Sequence, residues 1–128
     1  MRASIALVSL VVAATAVSVY AQGRGSARPD QTPIVEAVGC LSQTGSAWTL
    51  TDATEAATVT TTFTTPDAIK AAAEKPLGTQ RYRLLGTSAF GPDQHKGHKM
   101  VVRGLSIKSG SETRINVTSF QMLAEKCV

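Results

Sequence analysis

The sequence predicts a mostly β domain: a small closed or partly closed barrel of five to six strands with one short helix. Three observations support this class. Short segments with alternating apolar residues follow one another between turn signals. Several of these segments contain an internal glycine, which is typical of strands that bend sharply. One segment also has the capping residues that begin a helix.

The first 33 residues are predicted to lie outside the barrel. Residues 1–21 resemble a secretory signal peptide, with Arg2, an apolar run and the cleavage pattern Val19-Tyr20-Ala21. The apolar run is shorter than the roughly 20 residues that a bilayer span needs. Residues 22–33 combine Gly, Pro and charge without periodicity and predict a flexible linker. We therefore expect an exported chain, periplasmic or extracellular, with no stable membrane insertion after signal cleavage.

Residues 34–128 are predicted to form the barrel, beginning with three strands. Residues 34–41 indicate a strand that is covered on both sides or bulged at Gly39. After a turn, residues 47–51 place Trp48 and Leu50 on one face of the second strand. Residues 57–63 alternate cleanly, with threonines on one face, and predict the third strand.

One helix is expected after these strands. Thr65 is an N-cap candidate, Pro66 suits the first helical position and Asp67 places an acid in the first turn. Helix-forming residues continue to Lys75, and Pro76 ends the run. A helix of about ten residues is predicted to close one end of the barrel, with Ile69 facing inward.

The remaining strands are predicted at residues 81–87, 99–107 and 114–123. Gly104 predicts a bulge, and Gly97 is expected to be left-handed in the turn before the second of these strands. Three strands, a helix and further strands is the order of the oligonucleotide/oligosaccharide-binding (OB) fold, whose helix falls between the third and fourth strands. An immunoglobulin-like sandwich is the main alternative, but it normally has about seven strands and no such helix.

The two cysteines predict a disulfide. Cys40 and Cys127 are the only cysteines in the chain, and an exported protein meets an oxidising environment. A bond between them would close nearly the whole domain and stabilise it by about 4 kcal/mol on the chain-entropy model. Two buried free thiols, or a metal site that uses both sulfurs, are the alternatives.

Five short motifs are distributed over residues 34–128. They are Val38-Gly39-Cys40-Leu41, Trp48-Thr49-Leu50-Thr51, Tyr82-Arg83-Leu84-Leu85-Gly86, His95-Lys96-Gly97-His98-Lys99-Met100-Val101-Val102-Arg103-Gly104, and the terminal Cys127. Together they resemble a family of small exported bacterial OB-fold-like proteins of unknown function. The resemblance implies an OB-like barrel and an exported location, and it implies no activity.

Basic residues are concentrated in one part of the chain. The net charge is +4 overall and +3 without Arg2, from 12 basic against 9 acidic residues. Candidate ligand- or polyanion-binding residues are Arg81, Arg83, Lys96, Lys99 and Arg103, opposed in this region by Asp93 alone. The alternative is that these residues solvate the outside of barrel strands. Single-strand binders interleave stacking aromatics with such charge, and this region offers only Tyr82 and Phe90.

His95 and His98 are candidate metal ligands. They are the only histidines, and Asp93 and Met100 lie close in sequence. Zinc sites normally have three or four protein ligands, so a structural role in the turn at Gly97 is the competing interpretation.

No residues predict catalysis. No nucleophile is paired by spacing with a base, and no glycine-rich phosphate loop is present. We expect a non-catalytic binding or interaction module of the cell envelope, without a cofactor, whose partner is an envelope ligand or protein. The loop from Phe90 to Lys99 is the favoured contact region, and nucleic acid is the less favoured ligand. The sequence leaves the oligomeric state undefined.

Overall fold

The computed structural model describes residues 32–128. The predicted signal peptide, residues 1–21, and residues 22–31 of the predicted linker lie outside the described residues. The elements are β1 (Ile34–Thr44), β2 (Ala47–Ala53), β3 (Ala57–Thr58), α1 (Pro66–Ala73), β4 (Gln80–Leu85), β5 (Lys99–Ser109) and β6 (Glu112–Ala124). Two 3-10 turns, Thr87–Phe90 and Pro92–His95, connect β4 to β5. Within residues 32–128, no helix has the length and apolar character that crossing a membrane requires.

Five strands form a near-closed ring, which confirms the predicted mostly β class with one short helix. Around the ring the order is β1, β2, β4, β6 and β5, and β5 pairs again with β1. The β4–β6 pair is parallel, and the other ring pairs are antiparallel. The short strand β3 pairs with β1 at Val35 and Glu36, outside the ring.

All five ring strands send apolar side chains into one interior cluster. Its completely buried members include Leu50, Met100, Val102 and Ile115. The Tyr82 hydroxyl donates to the Thr54 carbonyl and accepts from the Ala56 amide, so this polar group is satisfied. Burial raises the pKa of Tyr82, because the phenolate is poorly solvated there.

The bulge predicted at Gly104 is confirmed by a register shift between Arg103 and Gly104 in the β5–β6 pair. A Cβ atom at Gly104 would overlap the backbone carbonyl of Asn116 on β6. Glycine therefore lets the two backbones approach closely where the ring bends.

The prediction of a third strand over residues 57–63 is wrong for most of that range, because only Ala57–Thr58 pairs as a strand. After Thr58, side chains donate hydrogen bonds to backbone carbonyls that would accept from a neighbouring strand in a sheet. Arg103 Nη1 donates to the carbonyls of Thr61 and Phe63, and Thr118 Oγ1 donates to the carbonyl of Thr62. The alternation over residues 57–63 therefore does not create a buried face, and the Phe63 side chain is 60% exposed.

The predicted helix start is confirmed, since Thr65 Oγ1 accepts from the Ala68 amide at 3.2 Å. The predicted position as an end plug is wrong. Ala72 and Ile69 pack against Val38 and Val101, in a second apolar cluster separate from the interior. Since Val38 and Val101 alternate with interior residues of β1 and β5, α1 covers the outer face of these strands.

We expected a side chain of α1 to pack against the interior of the ring. A residue in the connection between β4 and β5 packs there instead. Phe90 packs against the interior cluster, and its ring lies 5.9 Å from that of Phe120. Two short 3-10 turns therefore support the ring interior between the third and fourth ring strands in chain order.

The predicted disulfide is confirmed. Cys40 and Cys127 are bonded, with a Cα–Cα distance of 5.6 Å across a sequence separation of 87 residues. The bond ties the outer side of β1 to the residues that follow β6. Such a bond is typical of proteins in an oxidising compartment.

Candidate functional site

The candidate site is a groove of about 440 Å³ over the outer face of β2 and β4. We call it the arginine groove. The turn between β1 and β2 lies at one side of it, and the turn between β5 and β6 lies at the other. Its lining residues are Thr44, Ala47, Thr49, Arg81, Arg83, Ser111 and Glu112.

Strand alternation explains why polar residues line this groove. In the β2–β4 ladder, Trp48 is paired with Leu84 and Leu50 with Tyr82, and all four side chains point into the ring. The pair between them, Thr49 and Arg83, points outward. Thr49 is buried and forms the deep part of the lining, whereas Arg81 and Arg83 are exposed.

The arginine groove carries excess positive charge. Arg83 Nη1 lies 4.0 Å from Glu112 Oε1, while Glu112 Oε2 accepts a hydrogen bond from Arg114 Nε at 2.9 Å. Within residues 32–128, Arg81 has no carboxylate at ion-pair distance. Two guanidinium groups therefore lie beside the Glu112 carboxylate, and Arg81 adds a third positive charge to the lining. Guanidinium groups bind carboxylate, sulfate or phosphate oxygens in a bidentate geometry, so this charge suits an anionic ligand.

Two of the five predicted basic site residues require a correction, because Lys99 and Arg103 do not belong to an exposed surface. Lys99 is buried, and its Nζ donates to the carbonyls of Ala73 and Lys75 at the end of α1. Arg103 is also buried, and its Nε lies 2.6 Å from Glu36 Oε2. Both cations have intramolecular partners, so they are not available to a ligand.

Lys96, the fifth predicted residue, is exposed but does not line the arginine groove. Its Nζ lies 3.4 Å from Gln43 Oε1 on β1. The structure therefore brings Arg81 and Arg83 together and leaves Lys96 at a separate place.

The two histidines come together as the sequence suggested. His95 Nδ1 and His98 Nδ1 are 3.4 Å apart, and both side chains are half-buried. Among residues 32–128, no group of three or more His, Cys, Asp or Glu side chains is arranged to hold a metal ion. Metal binding by this pair therefore stays a prediction.

A second depression, of about 360 Å³, includes Glu55, Tyr82 and Lys108 in its lining. It contains one acidic and one basic side chain, and the Tyr82 hydroxyl is already bonded to the backbone. It therefore has less to offer an ionic ligand than the arginine groove.

The sequence did not predict four polar residues of the arginine groove: Thr44, Thr49, Ser111 and Glu112. Thr44 and Ser111 lie beside glycine-containing turns, and this was the only local signal. The sequence does not show that these two turns, which are far apart in the chain, border the same groove.

We found no family model, no curated protein and no solved structure that matches this chain. The resemblance to small exported OB-fold-like proteins therefore stays a prediction.

Proposed function

We propose that this chain is an exported, non-catalytic OB-like binding module that holds an acidic glycan in the arginine groove. The observation that carries the proposal is the position of Arg81 and Arg83 between two turns on an outer face of the ring. Their side chains supply charge, and the threonine and serine hydroxyls of the lining supply neutral hydrogen-bonding groups.

The position of the groove supports an OB-like mode of binding. OB barrels bind oligonucleotides and oligosaccharides on the face of their second and third strands and on the loops that join strands one to two and four to five. In chain order, β2 and β4 are the second and third ring strands, and the two turns are the corresponding loops. One departure is that α1 precedes the third ring strand, so 3-10 turns occupy the connection where an OB barrel has its helix.

The composition of the groove favours a glycan over a nucleic acid. Proteins that bind single strands stack bases on aromatic side chains, and no aromatic residue of the described part of the chain lines the groove. An acidic glycan can instead use guanidinium and hydroxyl contacts. The disulfide supports a periplasmic or extracellular location for such a ligand.

The chemistry of the lining supports a binding role without catalysis. Among residues 32–128, Glu112 is the only carboxylate in the lining, and it lies at ion-pair distance from both Arg83 and Arg114. Both oxygens of this carboxylate therefore face arginine side chains, and no nucleophile is paired with it as a base in the lining.

Calorimetric titration with a heparin-derived hexasaccharide tests the proposal. We expect binding that weakens when NaCl is raised from about 50 to about 500 mM, because exposed charges are screened. The Arg81→Gln plus Arg83→Gln variant should lose most of this binding. A matched control, Lys70→Gln plus Lys126→Gln, removes the same charge from exposed positions outside the groove and should keep it.

Two parallel titrations separate the alternatives. Maltohexaose, a neutral glycan, should not bind, and an oligothymidylate should bind more weakly than the hexasaccharide. Equal losses in the groove variant and in its control would show attraction by net charge alone. Stronger binding of the oligothymidylate would show that the arginine groove prefers nucleic acid to an acidic glycan.

A further inference from the structure

The two histidine rings have the separation of ligands that share one metal ion. Their Nδ1 atoms are 3.4 Å apart, and the rings lie edge to face at 68°. Two nitrogens at about 2.0–2.1 Å from a tetrahedral zinc ion are about 3.3–3.4 Å from each other. Within residues 32–128, the only hydrogen bond of either imidazole ring is the one to the other ring.

The backbone around the pair is fixed before any ion binds. The His98 carbonyl accepts from the Leu41 amide at 3.0 Å, and the Leu41 carbonyl accepts from the Gly97 amide at 2.9 Å. Gly97 has a φ of 82°, which lets the chain turn between the two histidines. His95 is held further by an edge-to-face contact with Phe120, with ring centroids 5.8 Å apart. Such fixed positions lower the entropy lost on binding.

The charged neighbours do not oppose a cation strongly. Lys99 Nζ is bound to the carbonyls at the end of α1, and Lys96 Nζ lies beside Gln43. Asp93, two residues before His95, is exposed and adds a negative charge to the same loop. Both cysteines are in the disulfide and cannot compete as ligands.

We propose that His95 and His98 bind one divalent ion of the late first transition row through both Nδ1 atoms. Because both rings are half-buried, the remaining coordination positions are open to water or a small exogenous ligand. Imidazole suits Cu²⁺, Ni²⁺ and Zn²⁺, and Cu²⁺ should bind most tightly. In the free protein, a proton on one Nδ1 can form a hydrogen bond to the Nδ1 of the other ring. On binding, that proton moves to Nε2 of the same ring, so that each Nδ1 presents a lone pair to the ion.

Electron paramagnetic resonance with Cu²⁺ tests the site directly. We would use the chain from Gln22 without an affinity tag. The sequence contains only these two histidines, so every imidazole signal reports on the pair. We expect one Cu²⁺ per chain and electron spin-echo modulation from two imidazoles. His95→Asn and His98→Asn should each lower the affinity by about tenfold or more and leave one imidazole on the ion.

A matched control is Gln94→Ala, an exposed residue of the same loop, which should keep both the affinity and the two-imidazole signal. A signal from one imidazole in the wild type would overturn the proposal, and so would equal affinity in the asparagine variants. Failure of the wild type to bind Cu²⁺ would overturn it as well. The wild-type spectrum alone decides the matter if an asparagine variant does not fold.

Discussion

Two outer faces of the same ring use basic residues in opposite ways. On the face formed by β1 and β5, the β5 residues Arg103 and Lys99 are buried under residues 59–75, where they bind a carboxylate and backbone carbonyls. On β2 and β4, Arg81 and Arg83 are exposed and line a groove. We call these the covered face and the open face.

The difference shows that the number of basic residues in a segment does not measure a binding surface. All four residues lie within residues 81–103 of the sequence. The segment that lies over each strand differs. Residues 59–75 cover β5, whereas none of the described residues, 32–128, covers the groove on β4. A cation under a cover must be paired, because an unpaired buried charge is costly, whereas an exposed one stays available.

The strongest test of the comparison is a pair of matched arginine substitutions. The Arg103 and Glu36 side chains are 9% and 8% exposed, and those of Arg83 and Glu112 are 44% and 40% exposed. Arg103→Ala leaves the buried Glu36 carboxylate without its close partner and should lower the free energy of unfolding by about 3–5 kcal/mol. Arg83→Ala should lower it by less than about 1 kcal/mol.

Urea denaturation of both variants measures this contrast. The double variant Glu36→Gln plus Arg103→Ala should recover part of the loss, since it removes a buried charge whose remaining partner is Lys75 Nζ at 3.7 Å. Similar losses in Arg103→Ala and Arg83→Ala would break the distinction between the two faces.

A second test concerns the inner side of β4, between the two open-face arginines. Tyr82→Phe leaves the Thr54 carbonyl and the Ala56 amide without their partner and should cost about 2 kcal/mol. Because the pKa of Tyr82 is raised in the folded state, the unfolded chain loses this proton first. The wild type should therefore lose stability as pH rises above about 10, the ordinary tyrosine value, and the variant should lack this component.

Absorbance titration checks the same point. In the chain from Gln22, Tyr82 is the only tyrosine, so the phenolate signal has a single source. If Tyr82 ionised at the ordinary tyrosine pKa in the folded protein, water would reach the inner side of β4 as well as its outer side.

A third test returns to the covered face and compares two lysines. Lys99→Met keeps the apolar stem but removes the ammonium group from the last carbonyls of α1, and should cost about 1–2 kcal/mol. Lys96→Met, at an exposed position, should change stability by less than about 0.5 kcal/mol. Thermal unfolding followed by circular dichroism measures both. An equal effect would mean that Lys99 does not hold the helix end.

The smallest expected effect sharpens the description of the open face. Glu112 competes with an anionic ligand for Arg83, so Glu112→Gln should raise the affinity for the heparin hexasaccharide. An exposed ion pair is worth about 0.2–1 kcal/mol, which corresponds to at most about a fivefold increase. Calorimetry at low salt measures it, with Glu74→Gln at an exposed position in the Lys75 region as the control. A decrease would show that Glu112 contacts the ligand or holds Arg83 in place.

The sequence predicted the parts of the fold that depend on local chemistry. The strand alternation around Trp48 and Leu50 and the N-cap at Thr65 were confirmed, because such signals depend on neighbouring residues. The strand predicted over residues 57–63 was wrong because its outcome depends on residues far away in the sequence. The alternation over residues 57–63 is favourable for a strand, but Arg103 and Thr118, 40 or more residues away, donate hydrogen bonds to three of their carbonyls.

By itself, then, the sequence determined a small, mostly β domain with one short helix and a disulfide between Cys40 and Cys127. The two cysteines allow one pairing, and side-chain periodicity identifies strands. Only the tertiary structure decided that α1 covers an outer face, that Lys99 and Arg103 are buried, and that Arg81 and Arg83 share a groove with Glu112. These facts depend on which strands become neighbours and which segments cover them, and contacts between distant residues leave no periodic signal in the sequence.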